Sequence, residues 1–144
     1  NDSKRELIFI GLNPSIANAK INDPTLRRLI GFSELWGYGY LVVINLFAKV
    51  CKSPKELLSF DDPVGLENDY ELNKRIRYWE KNESCDLWIG WGTNGKIMNR
   101  DELILRRIKK SSKKPYVIGL TKDGHPKHPL YVSKMNNYLS PIKI

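Results

Sequence analysis

Amides, hydroxyls and two histidines form four polar clusters in this 144-residue sequence. They are the segments NPS (13–15), N (45), GTNG (92–95) and TKDGHPKHP (121–129). An amide can align a water molecule or bond to a polar substrate edge, although it deprotonates water poorly. The two histidines, His125 and His128, stand three residues apart on a proline-interrupted loop, which is a poor spacing for a metal ion. We therefore expect hydrogen-bond chemistry without a metal or another cofactor.

Continuous apolar runs predict four strands that are covered on both faces: ELIFIGL (6–12), YLVVINLF (40–47), DLWIGWG (86–92) and PYVIGL (115–120). Helical spacing and the start signals Asp-Pro predict helices at 24–36, 63–81, 96–110 and 132–139. Strands that alternate with helices indicate a single α/β domain over 1–144, with three α/β/α layers and a central parallel four-stranded sheet. Each polar cluster follows a strand, so all four should lie at the carboxyl-end rim, where open sheets bind ligands.

The charge of the chain is unevenly distributed. The net charge is +8, and residues 73–144 hold 16 Lys or Arg against 6 Asp or Glu. Such an excess favours a polyanionic partner, with nucleic acid first, and Arg106, Arg107, Lys109 and Lys110 are candidate phosphate contacts together with Arg100. The other interpretation of RRIKKSSKK (106–114) is a solvated helix face.

Composition excludes several other classes of protein. No apolar run is long enough to cross a bilayer, and we expect no secretory leader, although the sequence begins at Asn1 rather than at methionine. Two cysteines, Cys51 and Cys85, cannot form an iron–sulfur cluster or a zinc site alone. We expect them to be reduced and buried in a cytoplasmic, monomeric protein.

Four segments of the chain carry a resemblance to a known family. The segment GLNPS (11–15) resembles the water-positioning motif of the uracil-DNA glycosylase superfamily, in the form used by its mismatch-specific branch. The segment VVINLF (42–47) resembles the strand whose terminal asparagine reads the base edge, and LWIGWGTNGK (87–96) resembles the third strand and its helix. The segment HPLYVS (128–133) resembles the one that carries the catalytic histidine and a wedge. The chain as a whole is similar to a small bacterial and phage domain family of that fold group.

The resemblance implies a uracil-DNA glycosylase-like fold and a role for each matching residue. Asn13 would orient water, His128 would donate a hydrogen bond to the base oxygen, and Asn45 would bond to the Watson–Crick edge. His125 competes with His128, and Asn45 could instead satisfy backbone groups at its strand end. The implied base-binding residues are Gly11, Leu12, Pro14, Ser15, Asn45 and Phe47, and the implied DNA-binding residues are Gly92, Thr93, Asn94, Lys96, Arg100, Lys127, Leu130 and Tyr131.

The sequence also departs from the family pattern. The Ser-Pro that follows the histidine motif is absent, and Ser15 replaces a glycine. Strictly uracil-specific members carry a tyrosine that blocks the pyrimidine C5 position, whereas Ile16 and Ala17 stand near that point here. The pocket should therefore admit a base with a C5 substituent.

These observations predict a monofunctional DNA glycosylase that acts on a flipped pyrimidine in repair or in attack on modified phage DNA. Neither of the two implied catalytic residues, Asn13 and His128, is a lysine that could form a Schiff base, so we expect no lyase step. Two other functions stay open. One is a non-catalytic module that binds DNA or a modified base, which the missing Ser-Pro favours. The other is an N-glycosidase of free nucleosides or nucleotides.

Overall fold

A computed structural model describes residues 3–14, 23–51, 53–133 and 138–142. Within these residues, three α-helices alternate with the first four of five strands, and 3-10 helices lie at Pro54–Ser59, Thr93–Asn99 and Pro129–Tyr131. The elements are β1 (Glu6–Gly11), α1 (Pro24–Leu35), β2 (Tyr40–Asn45), α2 (Asn68–Lys81), β3 (Cys85–Ile89), α3 (Arg100–Lys109), β4 (Tyr116–Val117) and β5 (Ser140–Pro141).

The sheet has the order β2-β1-β3-β4-β5, and its first four strands are parallel. This confirms an α/β fold with a mainly parallel sheet. The expected strand number of four was wrong, because β5 pairs with β4 in the antiparallel direction. A two-residue strand made of serine and proline has no apolar run from which it could be predicted.

Strand β1 is buried on both faces, and its alternating side chains divide the core. Leu7 and Phe9 pack towards α1 with Leu29 and Phe32. The intervening side chains of β1 pack on the other face against the apolar sides of α2 and α3, in a cluster that includes Ile8, Ile10, Leu72, Ile76, Ile104 and Ile108. The predicted three-layer arrangement agrees with this packing.

The helices differ from their expected bounds in three places. Helix α2 begins at Asn68, because the Asp62 carboxylate accepts a bond from the Gly65 amide and makes a turn. Helix α3 begins at Arg100, because the backbone kinks at residues 97–99 and the predicted continuous helix is broken. Val132, Ser133, Tyr138 and Leu139 are not helical, and the middle of the helix predicted at 132–139 lies outside the described residues.

The two cysteines and the membrane expectation can be compared with the described residues. Cys51 and Cys85 are both buried and carry free thiols, as expected. No helix in the described part of the chain combines the length and the apolar character needed to span a membrane.

The ammonium group of Lys113 closes the carboxyl end of α2. It donates hydrogen bonds to the carbonyl oxygens of Trp79, Asn82 and Cys85 at 2.6, 2.9 and 3.0 Å. A cation is favourable at this end of a helix because the unpaired carbonyls carry partial negative charge. Lys113 therefore ties α2 to the first residue of β3.

We predict that Lys113→Met lowers the free energy of unfolding by about 2 kcal/mol, because bonds from a charged group are lost and the carbonyls lose their donor. The measurement is urea unfolding followed by circular dichroism. The matched control is Lys114→Met, since Lys114 is exposed on the adjacent position. Equal unfolding midpoints for the two variants would contradict this role.

Candidate functional site

Two adjoining cavities open at the carboxyl end of the parallel strands. Cavity A has a volume of about 330 Å³ and lies on the α1 side, between β1, β2 and the start of α1. Cavity B has a volume of about 440 Å³ and lies beside the segments that follow β3 and β4. Leu12, Asn13 and His128 border both cavities and form the wall between them. The structure therefore brings the expected amide and imidazole together.

Two hydrogen bonds orient the amide of Asn13. Its Nδ2 donates to the Pro14 carbonyl at 3.2 Å and to the Cys51 sulfur at 3.3 Å. The Cys51 thiol in turn donates to the Ser53 carbonyl at 3.3 Å. Burial, with a smaller contribution from nearby Glu56, raises the pKa of this thiol and keeps it protonated. With Nδ2 held in this way, Oδ1 is the atom of Asn13 that can accept a bond from water or a ligand.

His128 is held as a neutral hydrogen-bond donor. Its Nδ1 accepts the backbone N–H of Leu130 at 3.2 Å, which assigns the ring proton to Nε2. Burial lowers the pKa of the imidazole below its ordinary value of 6.5, so the ring is uncharged at neutral pH. His125 borders neither cavity, and its backbone closes a turn with Thr121. The positions of the two rings thus favour His128 as the site residue.

Asn45 is the last residue of β2 and lies opposite Gly11 in the register. A Cβ atom on Gly11 would come within 2.8 Å of Asn45 Oδ1 and of the Phe9 ring, so glycine allows both groups to border cavity A. The carbonyls of Asn45 and Leu46 are satisfied by Nδ2 of Asn68 at 2.9 and 3.0 Å. Asn68 thus supplies hydrogen bonds to backbone groups at the end of β2, and Asn45 itself borders cavity A.

Arg100 was expected to contact DNA, and the structure corrects this. Its side chain is almost completely buried, and Nε and Nη2 donate to the Leu46 carbonyl at 3.2 and 2.9 Å. Nη2 also pairs with Asp69 at 2.5 Å. The kink before α3 turns Arg100 towards α2, so it supports the end of β2 and offers no guanidinium to a phosphate.

The expected base contact Phe47 is also corrected. Its ring is fully buried and borders neither cavity, and the Arg100 guanidinium lies 5.9 Å from its centroid. The aromatic wall of cavity A is Phe9, which was not among the expected site residues. The alternation of β1 could have found it, because Phe9 lies two residues before Gly11 on the same face. Asp23, considered only as the cap of α1, also borders cavity A, and its carboxylate accepts the Leu26 amide at 3.0 Å.

The other expected site residues are distributed as follows. Gly11, Leu12 and Pro14 border cavity A, whereas Ser15, Ile16 and Ala17 lie outside the described residues. The expected DNA contacts that border cavity B are Gly92, Thr93, Asn94, Lys127 and Tyr131. Leu130 faces a separate groove beside Arg27 and Arg28 of α1, and Lys96 is exposed and borders neither cavity.

A family model described as a protein of unknown function (DUF1643) matches residues 1–130. The chain belongs to the DUF1643 family. No match was found among curated proteins or among solved structures. The matched region of this DUF1643 protein includes every residue of the wall between the cavities.

The described residues of the DUF1643 protein contain no group of three or more His, Cys, Asp or Glu side chains that could hold a metal ion. The amides of Asn13 and Asn45 and the neutral imidazole of His128 border cavity A, and the Asp23 carboxylate lies there as well. Together they present an acceptor at Asn13, a donor at His128 and both kinds of group at Asn45.

We predict that Gly11→Ala displaces the Asn45 amide or the Phe9 ring, because the new methyl group needs the space that they occupy. The side-chain amide signals of Asn45 should shift in a nitrogen–proton NMR spectrum. The control is Gly31→Ala, since a Cβ there meets nothing within 4 Å, and alanine should stabilise α1 by about 0.5–1 kcal/mol. Unchanged Asn45 signals in Gly11→Ala would contradict the close packing of cavity A.

Proposed function

We propose that this DUF1643 protein is a monofunctional DNA glycosylase that hydrolyses the N-glycosidic bond of a flipped pyrimidine. The observation that carries the proposal is the convergence of Asn13, Asn45 and a neutral His128 on one partly apolar cavity at the rim of the sheet. Its volume of about 330 Å³ lies at the lower end of the range for ligand sites. The family resemblance of the four rim segments supports the same activity.

In the proposed reaction the bond between C1′ and the base nitrogen breaks, and its electron pair leaves with the base. The sugar becomes oxocarbenium-like and the base becomes anionic, so the base oxygen gains negative charge. His128 Nε2–H donates to that oxygen and stabilises the leaving group. A neutral donor suits this step, because Nδ1 is already committed to the Leu130 amide.

Water then bonds to C1′ and releases a proton to solvent or to the departed base. Asn13 Oδ1 would accept a hydrogen bond from this water and aim its oxygen at the sugar. Because an amide is a weak base, departure of the base must be well advanced before water attacks. Asn45 would bond to the base edge beside the Phe9 ring, which gives cavity A an apolar wall. An extruded base needs both contacts, since it has lost its stacking and pairing partners.

Cavity B is the proposed position of the adjoining sugar–phosphate backbone. Thr93, Asn94 and Lys127 border it and can donate hydrogen bonds to phosphate oxygens. Leu130 follows His128 within two residues and is the proposed wedge that fills the space left by the flipped base.

One observation favours a second candidate, an N-glycosidase of free nucleosides or nucleotides. The basic run at 106–110 lies in the second half of α3, which leads away from the carboxyl-end rim where the cavities open. The cavities themselves therefore have few cations for a long polyanion. Comparing release of base from DNA with release from free nucleosides distinguishes the two substrates.

We predict that Asn13→Ala and His128→Ala each lower the rate of base release from DNA by a factor of about 100 or more, since each removes a positioned group. Base release is measured by cleaving the resulting abasic sites with alkali and quantifying the broken DNA strands. Folding of each variant is checked by circular dichroism. The matched control is His125→Ala, which should retain activity because His125 borders neither cavity. Full activity in the two site variants, or loss only in His125→Ala, would contradict these roles.

We predict a rate plateau above pH 6.5 and a fall as the pH drops through the lowered pKa of His128. Protonation must displace the Leu130 N–H from Nδ1, so the catalytic arrangement is lost. Stability should follow the same direction. Because the unfolded state binds the proton more readily, the contribution of neutral His128 to the free energy of unfolding is full above pH 6.5. It is lost as the pH falls below that value. The measurement is the rate of base release as a function of pH. The control is His128→Gln, whose rate should show no fall at low pH from imidazole protonation. A wild-type rate that rises as the pH falls would contradict a neutral donor.

The substrate prediction concerns residues outside the described part of the chain. Ile16 and Ala17 have no ring to block the pyrimidine C5 position, so we predict release of thymine from a mispair or of a modified cytosine. Ala17→Tyr should narrow the choice towards uracil in competition between uracil and C5-substituted substrates. Strict uracil specificity in the unaltered protein would contradict this interpretation.

A further inference from the structure

Helices α2 and α3 lie side by side on the face of the sheet opposite α1, and a groove of about 300 Å³ runs between them. Both helices run back from the carboxyl-end rim. Two ion pairs join them, one between Arg100 and Asp69 near their starts and one between Arg107 and Glu80 at 2.7 Å near their ends. Arg100 and Arg107 of α3 therefore have a structural role.

Six further cations of α2 and α3 or directly after α3 are exposed, whereas Arg75 of α2 is half-buried. Lys74, Arg77 and Lys81 follow helical spacing along the exposed side of α2, and all three are exposed. The corresponding exposed residues of α3 are Arg106, Lys109 and Lys110. Among the described residues none of these six makes an ion pair. On the acidic side, Glu102 is exposed, and Asp69, whose side chain is 48% exposed, borders the groove while paired with Arg100. The α2–α3 groove is therefore flanked by two rows of cations that outnumber these exposed carboxylates.

We propose that the α2–α3 groove binds the phosphate backbone of a nucleic acid, at a surface separate from cavities A and B. Two rows of cations on either side of a groove match a rod-shaped polyanion, whose binding is driven by release of its counterions. A membrane surface fits less well. Interfacial helices bury a whole apolar face, whereas the apolar faces of α2 and α3 are already in the core and Leu103 is the apolar member of the outer stripe of α3.

The groove and the cavities are separated in two ways. The described residues that line cavity A include the start of α1, which packs on the face of the sheet opposite α2 and α3. In addition, α3 carries Arg106 and Lys110 towards the amino end of the strands, because Lys113, shortly after it, contacts the first residue of β3. A nucleic acid bound in the groove through its phosphate backbone would thus leave cavities A and B open. It would also hold the protein on the polymer. This inference does not rest on the proposed glycosylase activity.

The test measures binding to short fluorescent probes of duplex DNA, single-stranded DNA and RNA across a range of salt concentrations. The groove variant is Arg77→Gln, Arg106→Gln and Lys110→Gln combined. We expect it to bind at least about tenfold more weakly at low salt. The slope of log affinity against log salt should fall in size by about 0.9 for each duplex phosphate that the variant no longer neutralises. Weaker binding of one probe class alone would identify that class as the ligand.

Two further variants make the result specific. Lys4→Gln, Lys55→Gln and Lys122→Gln combined remove the same charge from exposed positions outside α2 and α3 and should have a much smaller effect. Arg77→Lys, Arg106→Lys and Lys110→Arg combined keep the charge and should keep the affinity. The proposal is overturned if the groove variant and the charge-matched control bind equally well with equal slopes. It is also overturned if the protein binds vesicles that contain phosphatidylserine but none of the nucleic acid probes.

Discussion

The register of β1 with its two neighbours is the constraint on which the site depends. Gly11 pairs with Asn45, and the ladder continues as the Leu46 amide donates to the Gly11 carbonyl. On the other edge the Gly90 amide donates to the Ile10 carbonyl. Because β1 is buried on both faces, a shift by one residue would exchange its two core faces. The carboxyl ends therefore meet in a fixed alignment, and the residues that follow them face common cavities.

Prediction from the sequence worked where one local signal decided the structure. Buried parallel strands are continuous apolar runs, so β1 and β2 could be placed, and with them the position of Asn13 and Asn45 at the rim. Tertiary packing decided the rest. Phe9 and Phe47 are both strand-associated aromatics, and the space left by Gly11 and Gly90 allows the Phe9 ring to form the wall of a cavity. No residue pattern indicates that space before the strands are aligned.

Arg100 shows the same limit for charged groups. Its burial depends on the kink before α3 and on the carbonyl of Leu46, which is distant in sequence. A burial of this kind needs both a hydrogen-bond acceptor and an opposite charge, and Asp69 supplies the latter. The net charge of a segment can be counted from the sequence. The face on which each cation lies depends on the residue at which the helix begins. The basic run therefore indicated a polyanion without indicating which surface would bind it.

We propose that cavity A binds a flipped pyrimidine beside Asn13, Asn45 and His128. The most direct measurement is a crystal structure of the protein with duplex DNA that contains one 2′-fluorinated nucleotide at a mispair, because fluorine disfavours the oxocarbenium-like sugar and prevents cleavage. We expect the base inside cavity A, with its oxygen at hydrogen-bond distance from His128 Nε2 and its polar edge at Asn45. A complex in which the target base stays stacked in the duplex, or lies outside cavity A, would contradict the proposed role of this cavity.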